Sequence, residues 1–228
     1  MKFRNLLFAA LIQASLALSI NAQTDALKRG DALVGQGNYA PAIEEYRKVS
    51  TRDVDAYARA IYNIGVCHYE LWHTDEAIVF YERAITLKHG NYPRASYALG
   101  VALEDQGRTT DAKQAYRQAL TASHKNFAAA TYRLGVLEAA AGELKTAAAL
   151  FREAASHQGQ HVAASHNNLG VMLARLGFLK EAEKEFVIAL KNSDGRLEDA
   201  VHNLTLCRSL LVTATAQAVP EFKIARRL

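Results

Sequence analysis

Proline, cysteine and tryptophan are scarce in this sequence of 228 residues, which contains three, two and one of them respectively. Strand-length runs of β-branched residues bounded by turn residues are also missing, and this argues against a β or mixed fold. Half of the residues are hydrophobic and 22% are charged, which is the balance of a folded, soluble protein. Helix-forming residues dominate after the first twenty positions, so we expect an all-α protein.

Motifs for catalysis and for metal binding are equally missing. No nucleophile stands at a recognisable spacing from a base, and there is no glycine-rich phosphate loop. Acidic pairs such as Glu44 and Glu45 are expected on solvated helix faces. The spacings of His157, His161 and His166 resemble those of helical metal ligands, but no carboxylate or thiolate lies between them. We therefore expect no enzyme activity, no metal site and no cofactor.

The N-terminal segment has the order of a secretory signal peptide. Lys2 and Arg4 precede an apolar stretch from Leu6 to about Leu18, and small or polar residues follow up to Ala22. We expect residues 1–22 to be removed during export to the bacterial periplasm or medium. The alternative, an uncleaved membrane anchor, is disfavoured because the apolar stretch is shorter than the ~20 residues of a spanning helix. No stable membrane insertion is expected after the signal has been removed.

The net charge does not indicate a nucleic-acid-binding protein. The full sequence carries a formal charge of +4, and removal of residues 1–22 takes away two basic and no acidic residues, which leaves +2. Much of the remaining excess lies near the C-terminus, in Lys223, Arg226 and Arg227, and does not form a stripe. We expect no nucleic-acid partner.

Small, aromatic and turn residues recur along the chain at a period of 35 residues, which indicates a repeat architecture. Small residues at helix crossings let two helices approach to ~8–10 Å, while an aromatic ring fills the space beside them. The glycine column contains Gly30, Gly65, Gly100, Gly135 and Gly170. The alanine and aromatic columns contain Ala42, Ala77, Ala112, Ala147 and Ala182, and Tyr46, Tyr81, Tyr116, Phe151 and Phe186. The turn column contains Gly37, Trp72, Gly107, Gly142 and Gly177.

This pattern resembles the tetratricopeptide repeat, in which a Leu-Gly pair lies in the first helix and alanine, an aromatic residue and alanine lie in the second. The resemblance covers about residues 23–213 and implies a right-handed α-α solenoid. Each unit is one residue longer than usual, and Arg29 replaces the expected leucine in the first unit. The Leu-Gly positions are Ile64-Gly65, Leu99-Gly100, Leu134-Gly135 and Leu169-Gly170. The proline that commonly closes a unit is replaced by His89, His124, Gly159 and Asp194.

The resemblance also sets the expected boundaries. We expect a capping helix over residues 198–213 and a flexible tail over residues 214–228. In such a solenoid Cys67 and Cys207 lie several helix layers apart, beyond the ~7 Å limit between the Cα atoms of a disulfide, so both should remain free, buried thiols. Five helix pairs are expected over about residues 23–57, 58–92, 93–127, 128–162 and 163–197.

A binding groove follows from the resemblance, because the first helix of each tetratricopeptide unit lines the inner face. Successive tyrosines at groove positions favour a recognition surface, since tyrosine offers a large area, few rotors and a hydroxyl. The alternative is that these tyrosines only pack between units. Asparagines would hold the backbone of an extended ligand through paired amide bonds, as in family members with an asparagine ladder. The expected groove residues are Tyr62, Asn63, Val66, Tyr97, Val101, Tyr132, Arg133, Val136, Asn167, Asn168, Val171, His202 and Asn203.

These features together predict a non-catalytic adaptor. Its partner would be an extended or helical segment of another protein of the bacterial envelope. One alternative is a self-associating scaffold, in which the tail or the first unit docks into the groove of a neighbour. A second alternative is an RNA-binding pentatricopeptide array, but neither the helix glycine nor the alanine columns belong to that pattern, and export and low charge argue against it.

Overall fold

The computed structural model describes residues 24–124, 126–213 and 222–225. These residues form eleven helices and no strand, which confirms the expected all-α class. The predicted signal peptide, residues 1–22, lies outside the described residues. None of the described helices is both long and apolar enough to cross a membrane. The helices are α1 over residues 24–35, α2 (Tyr39–Arg47), α3 (Val54–Glu70), α4 (Thr74–Leu87), α5 (Pro93–Asp105), α6 (Thr109–Ala122), α7 (Ala128–Ala140), α8 (Leu144–Ser156), α9 (Val162–Arg175), α10 (Leu179–Asn192) and α11 (Glu198–Thr213).

The chain divides into two compact units, residues 1–112 and 113–228, and the boundary lies inside α6. In the first unit α3 packs against α2 and α4, and α4 packs against α5. In the second unit α8 packs against α7 and α9, and α10 packs against α9 and α11. Within each unit consecutive helices therefore pack as the repeat pattern predicts.

The glycine and aromatic columns meet where the two helices of a pair come closest. A Cβ atom added to Gly170 would lie 2.6 Å from Cε1 of Phe186, and one added to Gly135 would lie 2.9 Å from Cε1 of Phe151. Both phenyl rings are fully buried. The missing side chain thus provides the space for the ring, which is the physical reason why the two columns recur together.

The junctions between units explain why the proline of the usual tetratricopeptide pattern is replaced here. The backbone φ angle is +50° at His89, +52° at His124 and +50° at Asp194, and Gly159 has +133°. A proline ring holds φ near −65°, so proline cannot adopt any of these conformations. Each helix pair ends here in a left-handed residue instead.

Trp72 is the one non-glycine residue of the turn column, and it shares the left-handed conformation of the glycines, with φ at +63°. Its side chain is 91% exposed, so little packing compensates for the strain. We expect Trp72→Gly to raise the free energy of unfolding by roughly 0.5–1 kcal/mol, because relief of ~1–2 kcal/mol of left-handed strain exceeds the entropic disadvantage of glycine. Chemical denaturation measures this change.

Trp72→Ala is the matched control for this prediction. It removes the indole ring but keeps a Cβ atom in the left-handed conformation, so it should not stabilise the protein. Equal stabilisation by both substitutions would show that the exposed ring, and not the backbone, is the source of the effect.

Candidate peptide-binding site

Three buried asparagines form a connected row in the second unit. Asn167 and Asn168 are consecutive residues of α9, and Asn203 belongs to α11. All three are fully buried. Asn203 Nδ2 donates to Asn167 Oδ1 at 2.9 Å, and Asn167 Nδ2 donates to Asn168 Oδ1 at 3.1 Å. These bonds fix the orientation of each side-chain amide, and we call the three residues the asparagine ladder.

Most of the remaining hydrogen-bonding capacity of the ladder is used by residues 222–225, which we call the C-terminal segment. The Lys223 N–H donates to Asn203 Oδ1, and Asn203 Nδ2 donates to the Lys223 carbonyl, both at 2.8 Å. Asn168 forms the same pair with Ala225, at 2.8 and 2.9 Å. Asn167 Nδ2 also donates to the Lys223 carbonyl at 3.0 Å. The N–H and C=O of alternate residues thus face the ladder, as in a strand that pairs with a neighbour.

The side chains of the C-terminal segment differ in burial. Phe222 is 5% exposed, and its ring stacks on Phe186 with the centroids 6.0 Å apart and the planes 14° from parallel. Ala225 is 2% exposed, while Ile224 is half-buried and packs against the same apolar cluster. The Lys223 side chain is exposed. The segment is therefore held by its backbone and by the side chains of Phe222, Ile224 and Ala225.

Tyr132 of α7 closes the site at Ala225. Its hydroxyl donates to the Ala225 carbonyl and accepts a hydrogen bond from Asn168 Nδ2 at 3.3 Å. Burial raises the pKa of Tyr132 to about 12, so the hydroxyl keeps the proton that it donates at neutral pH. The ring stacks on His161 with the centroids 5.0 Å apart, and burial lowers the pKa of His161, which favours a neutral imidazole beside it.

The expectation of a flexible tail over residues 214–228 is wrong for residues 222–225. The repeat pattern indicates no partner for these residues, whereas their backbone is bonded to the asparagine ladder and both Phe222 and Ala225 are buried. The signal that could have revealed this is the alternation of Phe222 and Ile224 with Lys223, because such alternation favours an extended, half-buried segment. Residues 214–221 and 226–228 lie outside the described residues.

A different polar cluster lies in the first unit, around Asp31 of α1. Its carboxylate accepts hydrogen bonds from the Tyr46 hydroxyl at 2.8 Å, from Asn63 Nδ2 at 3.0 Å and from the Arg59 guanidinium. Asp31 is not among the site residues predicted from the sequence. It occupies the position that Val66 holds in the next 35-residue repeat. A carboxylate in an otherwise apolar column was therefore the available signal.

An open cavity of about 220 Å³ lies beside this cluster. Tyr62 lines it while packing against Tyr81 and Tyr92, with ring centroids 5.9 and 5.4 Å apart, and the Arg94 guanidinium lies 5.7 Å from the centroid of the Tyr62 ring. Tyr62 therefore serves packing and cavity lining at once. The cavity-lining residues are Asp31, Val34, Tyr46, Tyr62, Asn63, Val66 and Arg94.

The tetratricopeptide repeat family model matches residues 27–96 and 97–161, which is more than half of the chain. The chain belongs to the tetratricopeptide repeat family. This confirms the family inferred from the repeat columns. The search of curated protein sequences found no significant match. Tetratricopeptide proteins generally mediate protein–protein interactions, and their fold typically serves as a non-catalytic interaction module.

Solved structures of tetratricopeptide proteins share this fold. MamA is 23% identical, with a TM-score of 0.61, and the match covers 72% of this chain and 94% of that structure. A tetratricopeptide repeat protein from Parabacteroides merdae ATCC 43184 is 16% identical, with a TM-score of 0.64 and coverage of 84% and 74%. YrrB, described as a tetratricopeptide protein with an unusual peptide-binding site, is 21% identical, with a TM-score of 0.62 and coverage of 78% and 85%.

The predicted groove residues are distributed over both units of this tetratricopeptide protein. Partner binding by any of them stays a prediction. In the first unit, Asn63 Nδ2 donates a hydrogen bond to the Asp31 carboxylate, and Tyr97 and Val101 of α5 are half-buried. In the second unit, contacts with the C-terminal segment are made by Tyr132, Asn167, Asn168 and Asn203. The other predicted residues there are half-buried Arg133 and Val136, fully buried Val171 and exposed His202.

Of the three histidines that the sequence offers as metal ligands, His161 and His166 make separate contacts. His166 Nδ1 lies 2.7 Å from Glu185 Oε2, His161 stacks on Tyr132, and His157 follows the last residue of α8. Across residues 24–124, 126–213 and 222–225, no group of three or more histidine, cysteine, aspartate or glutamate side chains could hold a metal ion.

Proposed function

We propose that this tetratricopeptide protein is a non-catalytic adaptor that binds an extended segment of another protein on its asparagine ladder. The observation that carries the proposal is the pairing of Asn203 and Asn168 with the backbone N–H and C=O of two alternate residues, Lys223 and Ala225. Backbone pairing does not depend on which chain supplies the strand, so the same amides suit a partner's segment. The peptide-binding site of YrrB supports the use of this fold for such a ligand.

The chemistry of the ladder favours a peptide over an anionic ligand. Each side-chain amide offers a donor and an acceptor, and the two outer asparagines use both toward the same residue. A peptide backbone repeats this donor–acceptor pair at every second residue, ~6.7 Å apart in an extended chain. A carboxylate only accepts, so it would leave the buried Asn203 Oδ1, which is bonded here to the Lys223 N–H, without a donor.

We also propose that the partner is a protein of the bacterial envelope. This part rests on the basic, apolar and small-residue order of residues 1–22, which is that of a secretory signal peptide. An exported adaptor meets its partners outside the cytoplasm, so the identity of a crosslinked partner bears directly on this point.

Photo-crosslinking in the native cells tests the adaptor function. The photoreactive residue benzoylphenylalanine is placed at the exposed position of His202, next to Asn203 on α11, in the full chain. We expect a crosslinked partner protein from this position. Asn168→Ala combined with Asn203→Ala should lower the crosslinked fraction at least about 10-fold, because four hydrogen bonds at ~0.5–1.5 kcal/mol each exceed the ~1.4 kcal/mol of one decade.

The control places benzoylphenylalanine at Val187, which is 45% exposed on α10. This position should give no such product. The adaptor proposal is wrong if Val187 yields the same partner, or if the asparagine variant keeps both its helicity by circular dichroism and the full crosslink from position 202.

A further inference from the structure

The C-terminal segment shows which side chains the ladder site accepts. Burial is greatest at its two ends, since Phe222 is 5% exposed and Ala225 is 2% exposed, whereas the Lys223 side chain between them is exposed. Backbone hydrogen bonds do not depend on the identity of the side chains, so we expect most of the selectivity to come from the two most buried positions, Phe222 and Ala225.

The Phe222 position is built for an aromatic ring. Phe222 stacks on Phe186, whose own ring is fixed against Gly170, and both belong to an apolar cluster that includes Met172 and Cys207. A stacked, nearly parallel pair of rings adds to the burial of apolar area, and an aliphatic side chain would lose that contribution.

The Ala225 position suits a small side chain. Its carbonyl accepts hydrogen bonds from both Tyr132 and Asn168, and its N–H donates to Asn168, so the residue is enclosed by the two side chains that bind it. A charged side chain there would have to be buried without a partner or would force the segment out of the site.

We propose that the ladder site selects extended segments with an aromatic residue three positions before a small residue, and that Phe222–Ala225 of the same chain occupies the site until such a partner displaces it. This inference rests on the adaptor function proposed above and adds the partner's sequence class and an intrachain competitor. The segment belongs to the same chain as the ladder that it pairs with, so the competition is intramolecular. An external segment therefore binds with an apparent affinity reduced by the fraction of open sites.

Fluorescence anisotropy tests the competition with full-length protein. The probe is a fluorescein-labelled peptide corresponding to residues 218–225 with glutamine in place of Lys223. We expect Ala225→Glu, which expels the segment but leaves the ladder intact, to bind this peptide at least about 10-fold more tightly than the wild type. Val187→Glu places the same charge on an exposed position of α10, outside the site, and it should bind the peptide as the wild type does.

The peptide series tests the selectivity. Against Ala225→Glu protein, replacing the phenylalanine of the peptide with alanine, or its last alanine with glutamate, should weaken binding at least about 10-fold. Equal binding of all three peptides would overturn the selectivity. Equal binding by wild-type and Ala225→Glu protein would overturn the competition. Peptide binding that survives the added Asn168→Ala and Asn203→Ala changes would instead overturn the ladder as the site, and with it the proposed function.

A measurement on the wild-type chain removes the dependence on a folded variant. Both backbone groups of Lys223 are bonded to asparagines, so trypsin should cleave after Lys223 slowly. The glutamine-containing peptide, which trypsin cannot cut, should accelerate that cleavage by displacing the segment. An unchanged rate at saturating peptide would overturn the competition. Light scattering that shows a wild-type dimer and a monomeric Ala225→Glu variant would assign the segment to a neighbouring chain and likewise overturn it.

Discussion

Phe151→Ala should destabilise the second unit by about 3–5 kcal/mol, the range for truncating a buried phenylalanine. The Phe151 ring is fully buried, lies against Gly135 and packs at 59° to the ring of Tyr132, with centroids 5.9 Å apart. Neighbouring helices cannot fill the space of a lost ring without breaking their own contacts, so a cavity remains. Denaturant unfolding followed by circular dichroism measures the change.

Phe178→Ala is the matched control, because it removes the same ring from a site that is 53% exposed. Its effect should stay within about 0.5 kcal/mol, as for most surface substitutions. If both substitutions destabilise equally, the aromatic column is not the source of packing energy in these helix pairs.

Cys67 should react with iodoacetamide at pH 8 at least about 100-fold more slowly in the folded protein than in urea. The thiolate is the reactive form, and burial, with a smaller contribution from Glu70, raises the pKa of the Cys67 thiol to about 11, against ~8.5 for an exposed thiol. The side chain is also fully buried, which blocks access. Mass spectrometry of the alkylated peptide follows the reaction.

The same pKa shift gives a pH dependence of stability with a definite sign. The folded state holds the Cys67 proton more tightly than the unfolded state. The contribution of Cys67 to the free energy of unfolding is therefore complete below the ordinary thiol pKa and is lost as the pH rises toward about 11.

Val212→Cys, at a site that is 85% exposed, provides the reactive reference for the alkylation of Cys67. Alkylation of Cys67 at the rate of that reference would contradict its burial.

The helix pairs could be predicted from the sequence because the contacts that define them are local and repeated. Gly135 and Phe151, or Gly170 and Phe186, lie 16 residues apart, and each pair meets within two consecutive helices. Because every helix pair needs a glycine to make room for its ring, glycine and an aromatic residue recur together in the sequence with the period of the repeat. The sequence shows that proline is replaced at His89, His124 and Asp194, and the left-handed φ at these residues gives the physical reason.

The candidate site could be predicted only in part. The sequence predicts that the asparagines pair with an extended backbone, because they stand at the groove positions that form an asparagine ladder in other tetratricopeptide proteins. The Asp31 cluster does not follow from the repeat pattern. Asn63 shares the repeat position of Asn168, yet it donates to the Asp31 carboxylate, and the position of Asp31 is apolar in the later repeats. Equivalent positions thus differ in function where a neighbouring residue breaks the repeat.

By itself the sequence determined the all-α class, the 35-residue helix pairs and the asparagine positions, because each depends on residue types at fixed spacing along one or two helices. Only the tertiary structure decided what lies on the ladder. Ala225 bonds to Asn168 across 57 residues and Lys223 bonds to Asn203 across 20, through backbone groups that every residue possesses. Backbone recognition leaves almost no mark on residue identity, so the placement of Phe222–Ala225 becomes visible only when the helices have brought the asparagines together.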